Sequence, residues 1–378
     1  MRIYETDYSK RELSRRVGSL AQVGGVQLLT FGEGHGRGLQ GIEFRTGTGF
    51  RFTVMPDRGF DVGPAEYQGV GLCWLPPKLL AGPWYYEGDL DPTAWLRVGL
   101  GGLFNTAGLV SIGTPEEIDT SQFGFTQRMT ASYGTHDRIA ITPASHFSFG
   151  EDWVGDRCLL WADGLVRQDI AYGEHLSVRR RYDTELGSSS FRMVDTVTNE
   201  GWFPTYHQRL YHFNAGFPIV DEGTEILASV VQEPASMHFS TGEHPAEDKA
   251  AATWRTATAP QPGFTHEGYV VSTKTDQAGW TSVAIVNRRL RPEIGGLGVF
   301  LRYDAGALPV YIAWRMMREG LYALGMEPST NPFGNPKDLV EQGFPLVMQP
   351  GDERRYELEY GILVGRDAID QFESALPD

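Results

Sequence analysis

The chain has 378 residues, 41% of them hydrophobic, and a formal net charge of −15; that length can bury a large core, as two domains or as one large β architecture. The acidic charge is spread along the chain without forming a tail, which argues against nucleic acid or an anionic membrane as partner. The opening MRIYETDYSKRELSRRV holds no apolar targeting segment and nowhere do 18 uncharged apolar residues run together, so the expectation is a cytoplasmic protein without a membrane span.

In chain order, the first regular signal is helical: Leu13, Val17 and Leu20 recur at helical spacing. GEGHGRG at 32–38 lacks the Lys-Ser/Thr pair of a phosphate loop and is followed by strand-like sequence, so a glycine-rich turn is expected there. TVMPDRGFDVG at 53–63 sets Asp57, Arg58 and Asp61 close together, either as a salt bridge in a turn or as polar groups for a ligand. Residues 72–99 form a long stretch broken by Pro and Gly and crowded with Trp74, Trp84, Tyr85, Tyr86 and Trp95. Loops of this kind on a rigid scaffold commonly carry function. Cys73 and Cys158 are the only cysteines, far apart and beside apolar residues, and are expected as buried reduced thiols. YGTHDR at 133–138 presents His136 and Arg138, which either hold ligand hydroxyls or join Asp137 in a surface ion-pair cluster.

Beyond this point period-2 alternation dominates. Leu176, Val178, Tyr182 and Leu186 alternate with Ser177, Arg179, Arg181, Asp183 and Glu185, GSSS turns the chain, and FRMVDTVTN returns; that is a hairpin. RLYHFNAGFP at 209–218 sets His212 between two aromatics with Asn214 beyond. Val299, Leu301 and Tyr303 alternate again, LPVYIAW and LYALGM follow, and Tyr356, Leu358 and Tyr360 repeat the pattern. Ile369, Phe372 and Leu376 return to helical spacing. No linker and no repeat of 20–50 residues divides the chain, so the expectation is all-β: one large antiparallel sandwich or barrel domain over 1–378, with short terminal helices. HxH, HExxH, CxxC and G-x-S-x-G are all absent, so neither a local metal site nor a serine-hydrolase elbow is expected.

Four stretches remain that end apolar runs with polar groups: PDRGFDVG, YGTHDR, YHFN and MEPSTNP. With GGLFNTAGL at 101–109 and PGDERRYELEYGIL at 350–363, in this order, they resemble the aldose 1-epimerase (galactose mutarotase-like) superfamily, and most closely its poorly characterised bacterial branch. The resemblance implies a galactose mutarotase-like β-supersandwich and acid–base ring opening of a free sugar without metal or organic cofactor. It implies His212 as acid and Glu327 as base across a sugar-sized gap. Better-known members read His-x-Tyr-Phe-Asn where this chain reads Tyr211-His212-Phe213-Asn214, and His-Gly where it reads His136-Asp137. A sugar needs donors and acceptors at its edges and an apolar face for stacking; His136, Arg138, Asn214, Arg58, Trp95 and Trp314 are the candidate substrate-binding residues.

Taken alone, a histidine flanked by Tyr and Phe also reads as a hydrogen-bonded strand residue, Glu327 as a surface glutamate, and any one tryptophan as core. Two other functions compete: a non-catalytic carbohydrate-binding protein, which needs no acid–base pair, and a glycoside hydrolase or lyase, for which hydrolysis requires two flanking carboxylates. Which sugar is used, which carbon is epimerised and the oligomeric state are not legible in the sequence.

Overall fold

Two large antiparallel sheets carry most of the chain. The computed structural model describes all residues except 89, 100, 126, 234–235, 238–253 and 378. One sheet has eight strands, in spatial order Ala144–Val154, Arg157–Asp169, His175–Glu185, Ser190–Asn199, Glu353–Val364, Leu297–Asp304, Trp280–Asn287 and Glu225–Ala228. The other has twelve strands among the described residues. Its path runs Val230–Gln232, Glu267–Thr273, Val310–Arg318, Leu321–Ser329, Gln208–Gly216, Phe104–Leu109, Asp61–Tyr67, Phe50–Met55, Gln40–Arg45 and Gly25–Thr30, with two short strands pairing beside it. The expected hairpin is present, with Tyr182 opposite Met193, and the all-β expectation holds.

The two sheets differ in how they are covered, and that difference positions the site. In Arg157–Asp169 buried and partly exposed residues alternate, the signature of a strand with one face on the core and one toward water. In Gln208–Gly216 all nine residues are buried. One face of that strand packs against the eight-stranded sheet, where Phe104, Tyr211, Phe213, Met193 and Tyr360 join a large apolar cluster. Its other face lies under the loops that follow Gly71 and Leu109, so a chemically active side chain there is screened from bulk water.

Helix is short and scattered. Lys10–Ser14 is closed by a capping box between Ser9 and Glu12, which satisfies two otherwise open N–H donors. The chain then leaves the helix, so Val17 and Leu20 lie beyond it. Gly365–Ser374 is the C-terminal helix and buries Ile369, while Trp95–Val98 is a four-residue helix inside the aromatic loop. GEGHGRG is a turn between two strands. Cys73 and Cys158 are buried free thiols. No helix among the described residues is long and apolar enough to cross a membrane.

Asp61 does not pair with Arg58. Its carboxylate accepts from Thr106 N at 2.8 Å, from the Thr106 hydroxyl and from Arg180. Arg180 also grips Asp195 through Nε and Nη2, both at 2.7 Å. Arg209 and the Tyr211 hydroxyl, at 2.8 Å, meet the same Asp195 oxygen. Two arginines and two aspartates thus meet between the sheets, where burial outweighs Arg180 at Asp61 and raises the pKa of that carboxyl. Burial alone would raise the Asp195 pKa, but the adjacent Arg180 and Arg209 outweigh it and hold the carboxyl below its usual range.

Candidate active site

The site is built on the loop-covered face of the twelve-stranded sheet. Gln208–Gly216 lies between Phe104–Leu109 and Leu321–Ser329. Leu210 pairs with Ser329 and Phe213 with Met326, and continuing that register sets His212 opposite Glu327. On the other side His212 pairs with Asn105. Residues directly opposite on one face are close enough for side chains to meet, and here they do: His212 Nε2 stands 3.1 Å from Glu327 Oε1. The pair is therefore in contact, and no sugar-sized gap separates it. The strand expected to end at Met326 continues through Pro328 to Ser329, so Glu327 projects from a sheet and not from a loop.

Room for the carboxyl comes from Gly325, two residues earlier on the same face. A Cβ at Gly325 would stand 2.6 Å from Glu327 Oε1 and 3.0 Å from Trp314 Cβ. Trp314 pairs with Gly325 from the next strand, and its ring lies 5.3 Å from the His212 ring, edge-on. From the covering loop, Trp95 meets His136 at 4.6 Å and His212 at 6.4 Å, and His136 lies 5.9 Å from His212. His136, Trp95, His212, Trp314, Asn214 and Glu327 are therefore gathered in one place. Arg138 is not among them: it lines a neighbouring groove of about 750 Å³ with Tyr86, Glu87, Ser132 and Tyr133, and neither His212 nor Glu327 faces that groove. The ion-pair cluster around Asp137 does not form. Asp137 is fully buried and accepts from Val110 N at 3.0 Å and Gln168 Nε2 at 2.7 Å.

Burial sets the protonation of the pair. His212 is 5% exposed and Glu327 2%; desolvation lowers the His212 pKa to about 4 and raises that of Glu327 well above the usual carboxylate value. The favoured state is then a neutral imidazole beside a protonated carboxyl, not an ion pair. His136 is likewise pushed down to about 3, first by burial and then by the neighbouring His212. Its Nδ1 accepts from Gly113 N at 3.2 Å, which leaves the proton of the neutral ring on Nε2.

Several buried polar atoms here lack a protein partner in aligned hydrogen-bond geometry: His212 Nδ1, Asn214 Oδ1, Trp95 Nε1 and Glu327 Oε1, although the His212 ring and the Asn214 side chain lie close enough to interact. Buried polar atoms are nearly always paired in folded proteins, so a cluster of orphaned donors and acceptors beside two indoles marks a place for a polar ligand with an apolar face. Asn105 was not expected here. Its side chain bonds both Gly101 N at 3.2 Å and Gly101 O at 3.3 Å and accepts from Asn214 Nδ2 at 3.3 Å, fixing the glycine loop against the pair; the only signal for it was its place in GGLFNTAGL. No group of three metal-ligating side chains gathers among the described residues.

Residues 36–362 match the family described as "Domain of unknown function (DUF4432)". No curated protein is significantly similar to the sequence. Among solved structures, a candidate aldose 1-epimerase from Klebsiella pneumoniae superposes with a TM-score of 0.78 at 22% identity, covering 92% of this chain and 86% of that one. A galactose mutarotase-like protein from Clostridium acetobutylicum gives 0.58 at 15%, covering 90% and 99%. A galactose 1-epimerase from Lactobacillus acidophilus gives 0.53 at 10%, also covering 90% and 99%. At these identities the likeness shows the fold, and the fold is galactose mutarotase-like.

Proposed function

We propose that this chain, which belongs to the DUF4432 family, is a carbohydrate epimerase of the aldose 1-epimerase type, opening the ring of a free sugar with His212 and Glu327. The observation that carries the proposal is the 3.1 Å contact between His212 Nε2 and Glu327 Oε1 at a screened site flanked by two indoles. Interconversion of anomers requires one group to take the proton of the anomeric hydroxyl while another protonates the ring oxygen; rotation about C1–C2 and reclosure follow. Both oxygens are bonded to C1 and so lie side by side. Two groups in mutual contact can address them together, where groups far apart would not.

The pair holds one proton. Whether that proton rests on His212 or on Glu327, the cleft contains one donor and one acceptor, and the reverse half-reaction exchanges their roles. The family resemblance makes His212 the acid and Glu327 the base; burial favours the other arrangement. His136 Nε2–H, Trp95 Nε1–H and Asn214 Oδ1 supply the hydroxyl contacts, and Trp95 and Trp314 the apolar faces. This chemistry requires no metal and no organic cofactor. We take residues 1–378 as one domain and place the protein in the cytoplasm, where buried thiols stay reduced.

The test is anomer exchange by NMR across a panel of neutral, acidic and phosphorylated aldoses, with and without protein. Enhanced exchange for at least one sugar, lost in His212→Asn, is expected. Binding without exchange for every sugar tested would instead make the chain a non-catalytic carbohydrate-binding protein.

A further inference from the structure

Two buried cations lack acceptors for most of their donors. Arg58 is 2% exposed; its Nη2 donates to Gly99 O, while Nε and Nη1 have no protein partner. Lys78 Nζ is also buried and without a partner. The carboxylate whose charge acts on Arg58, Asp61, is occupied by Arg180 and Thr106. The two cations repel: burial, and then the Arg58 charge, lower the Lys78 pKa to about 8, and burial lowers that of Arg58 to about 10.

The glycine loop links these cations to the site. Gly99 O meets Arg58, Gly101 N and O hold Asn105, and Gly102 O accepts from Asn214 Nδ2 at 3.4 Å. Pro76, two residues before Lys78, packs against Gly101. The glycine loop therefore touches Arg58 on one flank and the two asparagines nearest His212 on the other, and the segment that carries Lys78 packs on it through Pro76. Burying like charges together with their donors unanswered is costly, and nothing in the fold is gained by it. An oxyanion answers this deficit, since an orphaned guanidinium N–H donates to an anionic oxygen as a charge-assisted hydrogen bond and a nearby ammonium adds a point charge.

We propose that Arg58 and Lys78 form an anion subsite bordering the His212–Glu327 cleft, and that the sugar turned over carries a carboxylate or phosphate group. The inference rests on the epimerase reading for its sugar, but not for its anion. Calorimetric titration of the full chain with D-glucuronate, D-glucose 6-phosphate and neutral D-glucose tests it, the first two separating carboxylate from phosphate. At least one anionic sugar should bind 10-fold or more tightly than glucose. Lys78→Met should cost that sugar about 10–100-fold in affinity, the range of a charge-assisted hydrogen bond, and Lys78→Arg should restore most of it. Inorganic phosphate should compete with the anionic sugar in the unmodified protein, a measurement that holds even if Lys78→Met does not fold. Equal affinity for glucose and both anionic sugars, an unchanged anion affinity in a folded Lys78→Met, or no competition by phosphate would each overturn the proposal. Lys78-dependent binding without anomer exchange would leave the subsite standing and remove the epimerase; exchange of neutral sugars alone would do the reverse.

Discussion

Gly325→Ala is the most revealing single change, because it moves the glutamate without removing any polar group. The added Cβ would stand 2.6 Å from Glu327 Oε1, with Trp314 Cβ 3.0 Å away on its other side. To regain ordinary contact the carboxyl must retreat by about 0.8 Å, and the backbone need not strain, since Gly325 is not among the positive-φ glycines. A misplacement of about 1 Å at a reacting group can cost about 10²-fold in rate. We therefore expect kcat for anomer exchange to fall about 10²-fold with KM little changed, and stability to fall by about 1–3 kcal/mol, the usual cost of overpacking. Exchange spectroscopy on the wild type and the variant, with a thermal melt of each, measures both. Added to Glu327→Gln, the alanine should cost little more, because the carboxylate it displaces is already gone. If Gly325→Ala keeps kcat within about threefold while folded, the position of the carboxyl is immaterial and Glu327 is not part of the chemistry.

His212→Asn and Glu327→Gln should each lower turnover by about 10²–10⁴-fold, with the double variant little worse than the poorer single one, as expected of groups acting on one event; near-normal rates in both would assign His212 a structural role. The neutral pair should lose activity at low pH as His212 protonates near its depressed value of about 4, and at high pH as Glu327 ionises at its raised one. The residual rate of Glu327→Gln should then lack the alkaline limb, and a profile in which that limb persists would contradict the assignment. Depressed histidines and raised carboxyls pull stability in opposite directions between about pH 6.5 and 4.5. His136, His212 and His207, a buried ring set between Leu109 O and the Tyr356 hydroxyl, bind protons when unfolded but resist them when folded and so lower stability as pH drops. Glu327 and Asp137 keep protons when folded that they lose when unfolded and so raise it. Each contributes a slope on the order of 1.4 kcal/mol per pH unit, of either sign, in that window. Glu327→Gln removes one of the opposing slopes, so its denaturant midpoint should fall more steeply from about pH 6.5 to 5 than that of the wild type; parallel midpoints would show that Glu327 is not held protonated.

The sheets were legible because water enforces their pattern. Strands of the eight-stranded sheet have one wet face, so Leu176, Val178 and Tyr182 alternate visibly with charge. The same alternation held a signal that passed unread: Arg180 occupies an inward position between Val178 and Tyr182, and Asp195 one between Met193 and Val197. Two opposite charges at inward positions of one hairpin predict a buried pair, and the register indeed sets Arg180 against Asp195. The site was legible only through resemblance, since a strand buried on both faces carries no period to show which face holds the chemistry. Lys78 and Asn105 stayed hidden for another reason: their roles depend on a glycine loop whose path no local pattern encodes.

That two-faced burial explains how one strand serves two ends. In Gln208–Gly216 the odd-numbered Arg209, Tyr211 and Phe213 point between the sheets, where Asp195 gathers Arg180, Arg209 and the Tyr211 hydroxyl. The even-numbered His212 and Asn214 point to the cleft. Breaking a buried charge network by removing one partner typically costs about 3–5 kcal/mol, so the core face clamps the backbone on either side of His212. The cleft face can then hold a neutral histidine, a protonated glutamate and several unpaired polar atoms, all of them unfavourable in isolation, because the strand beneath cannot move to relieve them. A sugar that satisfies those atoms would be bound by the groups the protein itself leaves unpaired, and the rigid charge network is what keeps them so.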